Sequence, residues 1–244
     1  MFDAHAHLCW KSFDKDREEV VERAREKIAG VIVSSARLEE GFCVLDLVKK
    51  HSGFLFASLG FHPTEGDELE KTIQLIKANK NDIVAVGEVG LDYHYCKDSK
   101  GREKQKEVFK RFISLAKEIG KPLVIHSWDA EEDAFSLVKD AGVAATFHCF
   151  TGSKELALKI VNAGFYVSIS TNVLFSKKIR KTAKALPLDS LLLETDAPFL
   201  DPDRGRNVPW TILQSAEKIA ELRGIAGEEV GKAALENAKK LFGI

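Results

Sequence analysis

The stretch Phe109–Ser127, FKRFISLAKEIGKPLVIHS, holds one complete structural unit and decides the fold class. Phe109, Phe112, Ile113, Ala116 and Ile119 recur at steps of three and four, the spacing of one apolar helix face. Gly120 follows where a helix needs a left-handed cap. Leu123–Ser127 is then a short β-rich apolar run that ends in His126. A helix that leads by one tight joint into a fully apolar strand is half of a βα repeat, with the strand buried on both faces.

The same unit recurs in both directions. Candidate strands lie at Phe2–Leu8, Gly30–Ser35, Phe54–Phe61, Ile83–Leu91, Leu123–Ser127, Ala144–Phe150, Phe165–Ser170 and Leu191–Thr195, separated by charged amphipathic segments. Gly30, Gly53, Gly120, Gly142 and Gly164 mark helix-to-strand joints. Eight strands alternating with helices predict a parallel (β/α)₈ TIM barrel, an α/β fold, as a single domain over residues 1–244. No Pro-rich or Ser/Gly-rich linker divides the chain. An open doubly wound sheet is disfavoured, because the first βα turn has no G-x-G-x-x-G. A ninth helical segment, about Gly227 to Phe242, is expected to pack across the outside.

The chain has 244 residues, 45% apolar and 30% charged, with a formal net charge of −1. That balance fits a globular protein and counts modestly against a scaffold that wraps duplex DNA, though not against an enzyme that accepts a strand end. Cys9, Cys43, Cys96 and Cys149 form no C-x-x-C pair, which predicts reduced thiols in a cytoplasmic protein. No apolar run is long enough to span a membrane, and Asp3, His5 and His7 break any early signal-like stretch.

Ionisable residues gather at the predicted strand ends, where a parallel barrel keeps its chemistry. The first strand carries Asp3, His5 and His7, and because side chains alternate along a strand all three are expected to point to one face. Glu88 lies on the fourth, His126 ends the fifth and His148 the sixth, and the eighth carries Glu194 and Asp196. His62 ends the third, before Pro63. Each histidine alone is more simply a hydrogen-bonded core residue. Polar groups converging from five strands into a barrel lumen require partners, and a metal is the economical one. Imidazole with carboxylate suits Zn²⁺, Mn²⁺, Co²⁺ or Fe²⁺, and carboxylate-rich sites accept Mg²⁺. With a carboxylate able to bridge, two ions about 3.5–4 Å apart could clamp the oxygens of a phosphoryl displacement.

These residues sit in segments that resemble a known family, the TatD deoxyribonucleases. Asp3-Ala4-His5-Ala6-His7-Leu8 is similar to the opening D-x-H-x-H-L motif, and Gly87-Glu88-Val89-Gly90-Leu91-Asp92-Tyr93 to GE-[IV]-GLDY. Pro122 to His126 resembles P-x-x-[IV]-H, His148-Cys149-Phe150-Thr151-Gly152 resembles HCFTG, and Glu194 to Leu200 resembles ETD-x-P-[YF]-L. Arg204-Gly205 with Asn207 and Pro209 is similar to RG-x-x-N-x-P, one residue shorter, and Val208 stands where the family often has Glu. Asn237 to Phe242 resembles N-x-x-x-LF. His94-Tyr95-Cys96 belongs to none of these motifs.

The resemblance implies that His5, His7 and Asp196 bind one metal, that His126 and His148 bind a second, and that Glu88 bridges them. It implies Mg²⁺- or Mn²⁺-dependent removal of nucleotides from the 3′ ends of DNA strands, often single-stranded. On that reading Asp196 takes the proton of the attacking water, and His62 contacts the phosphate or protonates the leaving oxygen. Asp3 and Glu194 orient ligand histidines or close the barrel floor. Arg204 is the best single phosphate contact, with Lys177, Lys178, Arg206 and the Lys97–Lys106 loop as further cations. Tyr93, Phe150, Phe199 and Trp210 are candidate base-stacking faces. No membrane and no obligate protein partner is expected. Two alternatives stay open: a metal-dependent hydrolase of smaller amides or esters, and a metal-bound scaffold without turnover.

Overall fold

The computed structural model describes residues Met1–Ile244. Eight strands run β1 Phe2–Ala6, β2 Gly30–Ser34, β3 Leu55–Leu59, β4 Ile83–Gly90, β5 Leu123–His126, β6 Ala145–Phe147, β7 Tyr166–Ile169 and β8 Leu191–Leu193. Between and after them lie α1 Arg17–Arg25, α2 Leu38–Lys50, α3 Leu69–Ala78, α4 Ser99–Ile119, α5 Glu131–Val138, α6 Lys154–Asn162, α7 Lys177–Ala185, α8 Ile212–Arg223 and α9 Gly227–Phe242. The strands form one parallel sheet in sequential order, β1 to β8. The sheet returns on itself through a bridge between Ala6 and Ala197, and the His5 carbonyl accepts from the Asp196 N–H at 3.0 Å. The fold is the (β/α)₈ barrel that the alternation predicts.

The Asp3 carboxylate ties this seam. It accepts from the Thr195 N–H at 2.9 Å and the Thr195 hydroxyl at 2.6 Å. Its place is at the β1–β8 joint, where it orients no histidine ring. Burial pushes this carboxyl well above the usual range, against the hydrogen bonds from Thr195 and His5.

α4 shows why the helices form where they do. The Asp98 carboxylate caps its start by accepting from the Gly101 N–H at 2.8 Å. Gly120 ends it at φ 68°, a left-handed conformation in which a side chain is strained. Phe109, Phe112 and Ala116 are fully buried between α4 and the sheet. Each such phenylalanine contributes roughly 1.5–3 kcal/mol relative to exposure.

Inside the barrel the floor is apolar. Phe2, Ala4, Ile32, Ala85, Val124, Tyr166 and Leu192, drawn from six strands, form one cluster with Ala238, Leu241 and Phe242 of α9. Only the lumen lets so many strands share a contact. α9 therefore plugs the N-terminal mouth of the barrel, which corrects the expectation that it lies across the outside. Its Asn237 side chain donates to the carbonyls of Leu188 and Leu191 at 2.7 and 2.8 Å.

Two further expectations are corrected. Cys9, in the loop after β1, and Cys43 on α2 form a disulfide, with Cα atoms 6.0 Å apart. They are 34 residues apart in sequence, and only the barrel's winding brings them together. Cys96 and Cys149 are free. The second correction concerns side-chain parity on β1, and β4 carries a like irregularity. The β1–β2 register slips between Asp3 and Ala6, and the β4–β5 register between Val86 and Val89. Each slip sets an extra residue into the donor-bearing strand and re-aims its side chains. Ala4 joins the lumen floor, yet His5 also reaches into the lumen, so Asp3, His5 and His7 do not share one face by simple alternation. No helix is long and apolar enough to cross a membrane.

Candidate active site

The donors collect at the C-terminal mouth. His7, His148 and Asp196 lie just past the last paired residues of β1, β6 and β8, while His5, Glu88 and His126 are still on strands. Asp196 has φ 57°, so a left-handed turn after β8, and not strand alternation, turns it toward β1.

His5 Nε2 and His7 Nε2 are 3.1 Å apart, and Asp196 Oδ1 lies 3.7 and 3.5 Å from them. On the other side, His126 Nδ1 and His148 Nε2 are 3.3 Å apart. The Glu88 carboxylate lies between the two histidine pairs. It is 2.9 Å from His148 Nε2, 3.5 Å from His126 Nδ1, 3.4 Å from His7 Nε2 and 3.9 Å from His5 Nε2. His5 and His148 stack with ring centroids 4.1 Å apart.

The far side of each ring explains which nitrogen faces inward. His5 Nδ1 is 3.1 Å from Ser34 Oγ, and His126 Nε2 is 3.0 Å from Asp92 Oδ2. His148 Nδ1 lies 3.5 Å from Glu194 Oε1, and Glu194 is itself held by the Cys149 N–H and the Ser168 hydroxyl, both at 2.6 Å. An imidazole that donates outward presents its other lone pair inward. His7 Nδ1 is buried without a partner, and His148 Nδ1 meets Glu194 as a close charge contact and makes no hydrogen bond.

Four inward imidazole nitrogens and two carboxylates fit divalent cations and little else. Two Nε2 lone pairs 3.1 Å apart repel unless a cation or a proton lies between them. In the metal-free protein a proton takes that place. Burial works against charging His7, but Glu88 and Asp196 outweigh it and raise its pKa to about 9. Burial likewise opposes a charged His148, and Glu194 and Glu88 outweigh it, so its pKa lies well above the usual value. His5 is pushed well below, by burial and then by His148 and His7. Burial would raise the Glu88 carboxyl, but the surrounding imidazoles of His62, His7, His126 and His148 hold it well below the usual range.

Metal loading must therefore expel protons. At pH 7, His7 and His148 each carry one in the metal-free state, and each must lose it to offer a lone pair. The apparent metal affinity then rises with pH, and keeps rising at least until pH passes the His7 value of about 9. Calorimetric metal titration at pH 7 in buffers of different ionisation enthalpy will give buffer-dependent heats. Heats independent of buffer would contradict this protonation pattern.

Asp92 has no role in the sequence reading beyond its place in a motif. It is fully buried, and it accepts the Tyr95 N–H at 2.8 Å as well as facing His126. A carboxylate on the far nitrogen fixes the tautomer and tilt of a ligating imidazole. Asp92→Asn is expected to weaken metal binding on the His126 side by about 10- to 100-fold. An unchanged metal titration would show that His126 needs no such support.

His62 lines the same cavity, with its ring against His126 at 4.3 Å. Its Nδ1 accepts from the Thr64 N–H at 3.3 Å and meets the Thr64 hydroxyl at 2.7 Å, which leaves the proton on Nε2. Desolvation in the cavity lowers its pKa to about 3. Arg204 is exposed and does not line the cavity. Arg206 is held by Asp16 at 2.5 Å, and Lys106 by Asp133 at 3.0 Å. Of the expected stacking faces, Tyr93 and Phe150 are buried and Arg23 lies over Trp210, while Phe199 is exposed on the cavity.

Comparison with known proteins agrees with this geometry. Residues 2–243 match the family model described as TatD related DNase. The chain is 41% identical to the uncharacterized metal-dependent hydrolase YabD of Bacillus subtilis (strain 168), covering 100% of this chain and 99% of the relative. It is 34% identical to the human deoxyribonuclease TATDN3, covering 99% of this chain and 94% of that protein. The crystal structure of YJJV, a TatD homologue from Escherichia coli K12, superposes with a TM-score of 0.90 at 29% identity, covering 100% of this chain and 98% of that one. A barrel of this topology, a His/Glu/Asp cluster at its C-terminal mouth and a match along its whole length lead to one conclusion: the chain belongs to the TatD-related DNase family of metal-dependent hydrolases.

Proposed function

We propose that this enzyme is a deoxyribonuclease that removes nucleotides from the 3′ ends of DNA strands, with two divalent cations, Mg²⁺ or Mn²⁺, and Zn²⁺ as the alternative occupant. His5, His7 and Asp196 would hold one ion, His126 and His148 the other, and Glu88 both. The observation that carries this reading is the position of Glu88, within 3.9 Å of all four imidazoles and between the two pairs. When bound, such a pair of ions activates water near neutral pH and offsets the charge of a reacting phosphodiester.

The chain's own residues supply the rest. The Asp196 side chain is 14% exposed and that of Glu88 5%, so Asp196 is the carboxylate that meets the cavity and can accept the proton of an attacking water. His62 is neutral at physiological pH and carries its proton on Nε2. That suits a hydrogen bond to a phosphate oxygen better than the protonation of a leaving group. Ser34, Asp92 and Glu194 hold three imidazoles in register.

The cavity has a volume of about 460 Å³ above a floor closed by the apolar layer and α9. A blind cavity of this size suits a strand end. The experiment follows 3′- and 5′-labelled single-stranded DNA with metal-free protein as Mg²⁺, Mn²⁺ or Zn²⁺ is added. Metal-dependent shortening from the 3′ end is expected. Hydrolysis of simple esters or amides with no cleavage of DNA would replace this reading with a small-substrate hydrolase.

A further inference from the structure

Five large hydrophobic side chains are more than a third exposed: Phe42, Tyr95, Trp128, Phe175 and Phe199. Three of them, Tyr95 (69%), Trp128 (38%) and Phe199 (42%), line the cavity that also exposes His7, Glu88, His126, His148 and Asp196. Exposed aromatic rings are unfavourable in water, and their concentration at one mouth marks a surface that is covered when substrate binds.

The rings stand on opposite sides. Tyr95 follows β4 and Trp128 follows β5, whereas Phe199 follows β8. In a closed barrel of eight strands in sequential order, β4 and β5 face β8 and β1 across the mouth. Both walls are braced. The His94 ring stacks on Trp128 at 3.9 Å and 6°, and its Nδ1 lies 3.1 Å from Asp129 Oδ2. Tyr95 meets Trp128 edge-on at 5.7 Å. Opposite, Phe199 meets Trp10 edge-on at 5.4 Å and the His7 ring at 6.0 Å.

The cavity is also notable for what it lacks. No lysine or arginine lines it. The phosphate is therefore left to the metal centre and His62, and the rest of a bound nucleotide meets aromatic surface. Base stacking on such rings tolerates any base, because every base has a π face. It needs bases that have left the duplex stack.

We propose that Trp128, backed by His94 and flanked by Tyr95, and Phe199 on the facing wall clamp the nucleobases beside the scissile phosphate, so that the enzyme selects unpaired strand ends by the presence of a base and not by its identity. This rests on the nuclease reading above. His94 and Tyr95, which belong to no family motif in the sequence, gain a role as part of one wall.

The test compares an intact oligodeoxynucleotide with one whose two 3′-terminal residues are abasic tetrahydrofuran units. The proteins are the metal-loaded wild type, Trp128→Ala, Trp128→Phe and Phe199→Ala. The wild type is expected to prefer the intact end through KM. Trp128→Ala should raise KM for the intact end on the order of ten- to a hundredfold and leave kcat nearly unchanged. The same variant should no longer distinguish intact from abasic ends, and Trp128→Phe should restore most of the preference. Phe199→Ala should lose preference in the same direction. Indole quenching by an oligonucleotide with an uncleavable terminal linkage should fall in Trp128→Phe, which retains Trp10 and Trp210.

Equal cleavage of both ends by the wild type would overturn the clamp and leave the nuclease standing. So would a Trp128→Ala variant that keeps the preference, or one that loses activity equally on both substrates. A wild type that cuts neither oligonucleotide would overturn the nuclease reading and the clamp with it.

Discussion

Glu88→Gln will reduce DNA cleavage on the order of 10⁴-fold or more and will lower the metal content of the protein together with it. The change is nearly isosteric, so the loss is one of charge and not of shape. The Glu88 carboxylate is the only acid within 4 Å of all four imidazole nitrogens of the donor set. Replacing it with an amide removes the anion that both ions would share and places N–H groups among lone pairs. Neither ion could be held as before. The fold should survive, because Glu88 lies above the apolar floor and makes no hydrogen bond that closes the barrel. The check is steady-state cleavage beside elemental analysis of the purified variant. A Glu88→Gln protein with full metal content and near-normal activity would remove Glu88 from the centre of the site.

Asp196→Asn should behave differently. Cleavage is expected to fall by about 10²- to 10⁴-fold, the range for loss of a general base, mainly in kcat. Asn is among the few residues at ease at positive φ, so the turn at φ 57° should persist. The variant would lose one proposed ligand beside His5 and His7, while Glu88, His126 and His148 are untouched. Some metal should therefore remain bound when activity is gone, which separates this variant from Glu88→Gln. An Asp196→Asn enzyme with unchanged kcat would assign the proton acceptor elsewhere.

The barrel was legible because βα alternation is written in local signals. Apolar runs buried on both faces, helical spacing such as Phe109 to Ile119, and glycines at the joints place all eight strands. The strands are shorter than the apolar runs suggest, since the ladder loosens where the donors begin. His7 and His148 lie beyond paired residues for that reason. The six candidate ligands could be named because imidazoles and carboxylates are out of place in a lumen, and the structure brings them together.

What was not legible depends on geometry that no single strand encodes. Alternation gives side-chain direction only while the pleat is unbroken, and register slips on β1 and β4 re-aim His5 and Glu88. Asp92 lies past the end of its strand, and only the neighbouring β5 shows that it faces His126. The Cys9–Cys43 bond spans elements that the barrel's curvature juxtaposes. Arg204 and Phe199 follow the same strand, yet only Phe199 lines the cavity. Loop residues are positioned by their own turns, and residue type alone does not say which of them faces inward.

The proposed centre is two ions sharing Glu88. Crystals soaked in Mn²⁺ and measured at its absorption edge test it most directly. The expected result is two anomalous peaks, one against His5, His7 and Asp196, the other against His126 and His148, with Glu88 touching both. A single peak, or peaks away from these side chains, would contradict it.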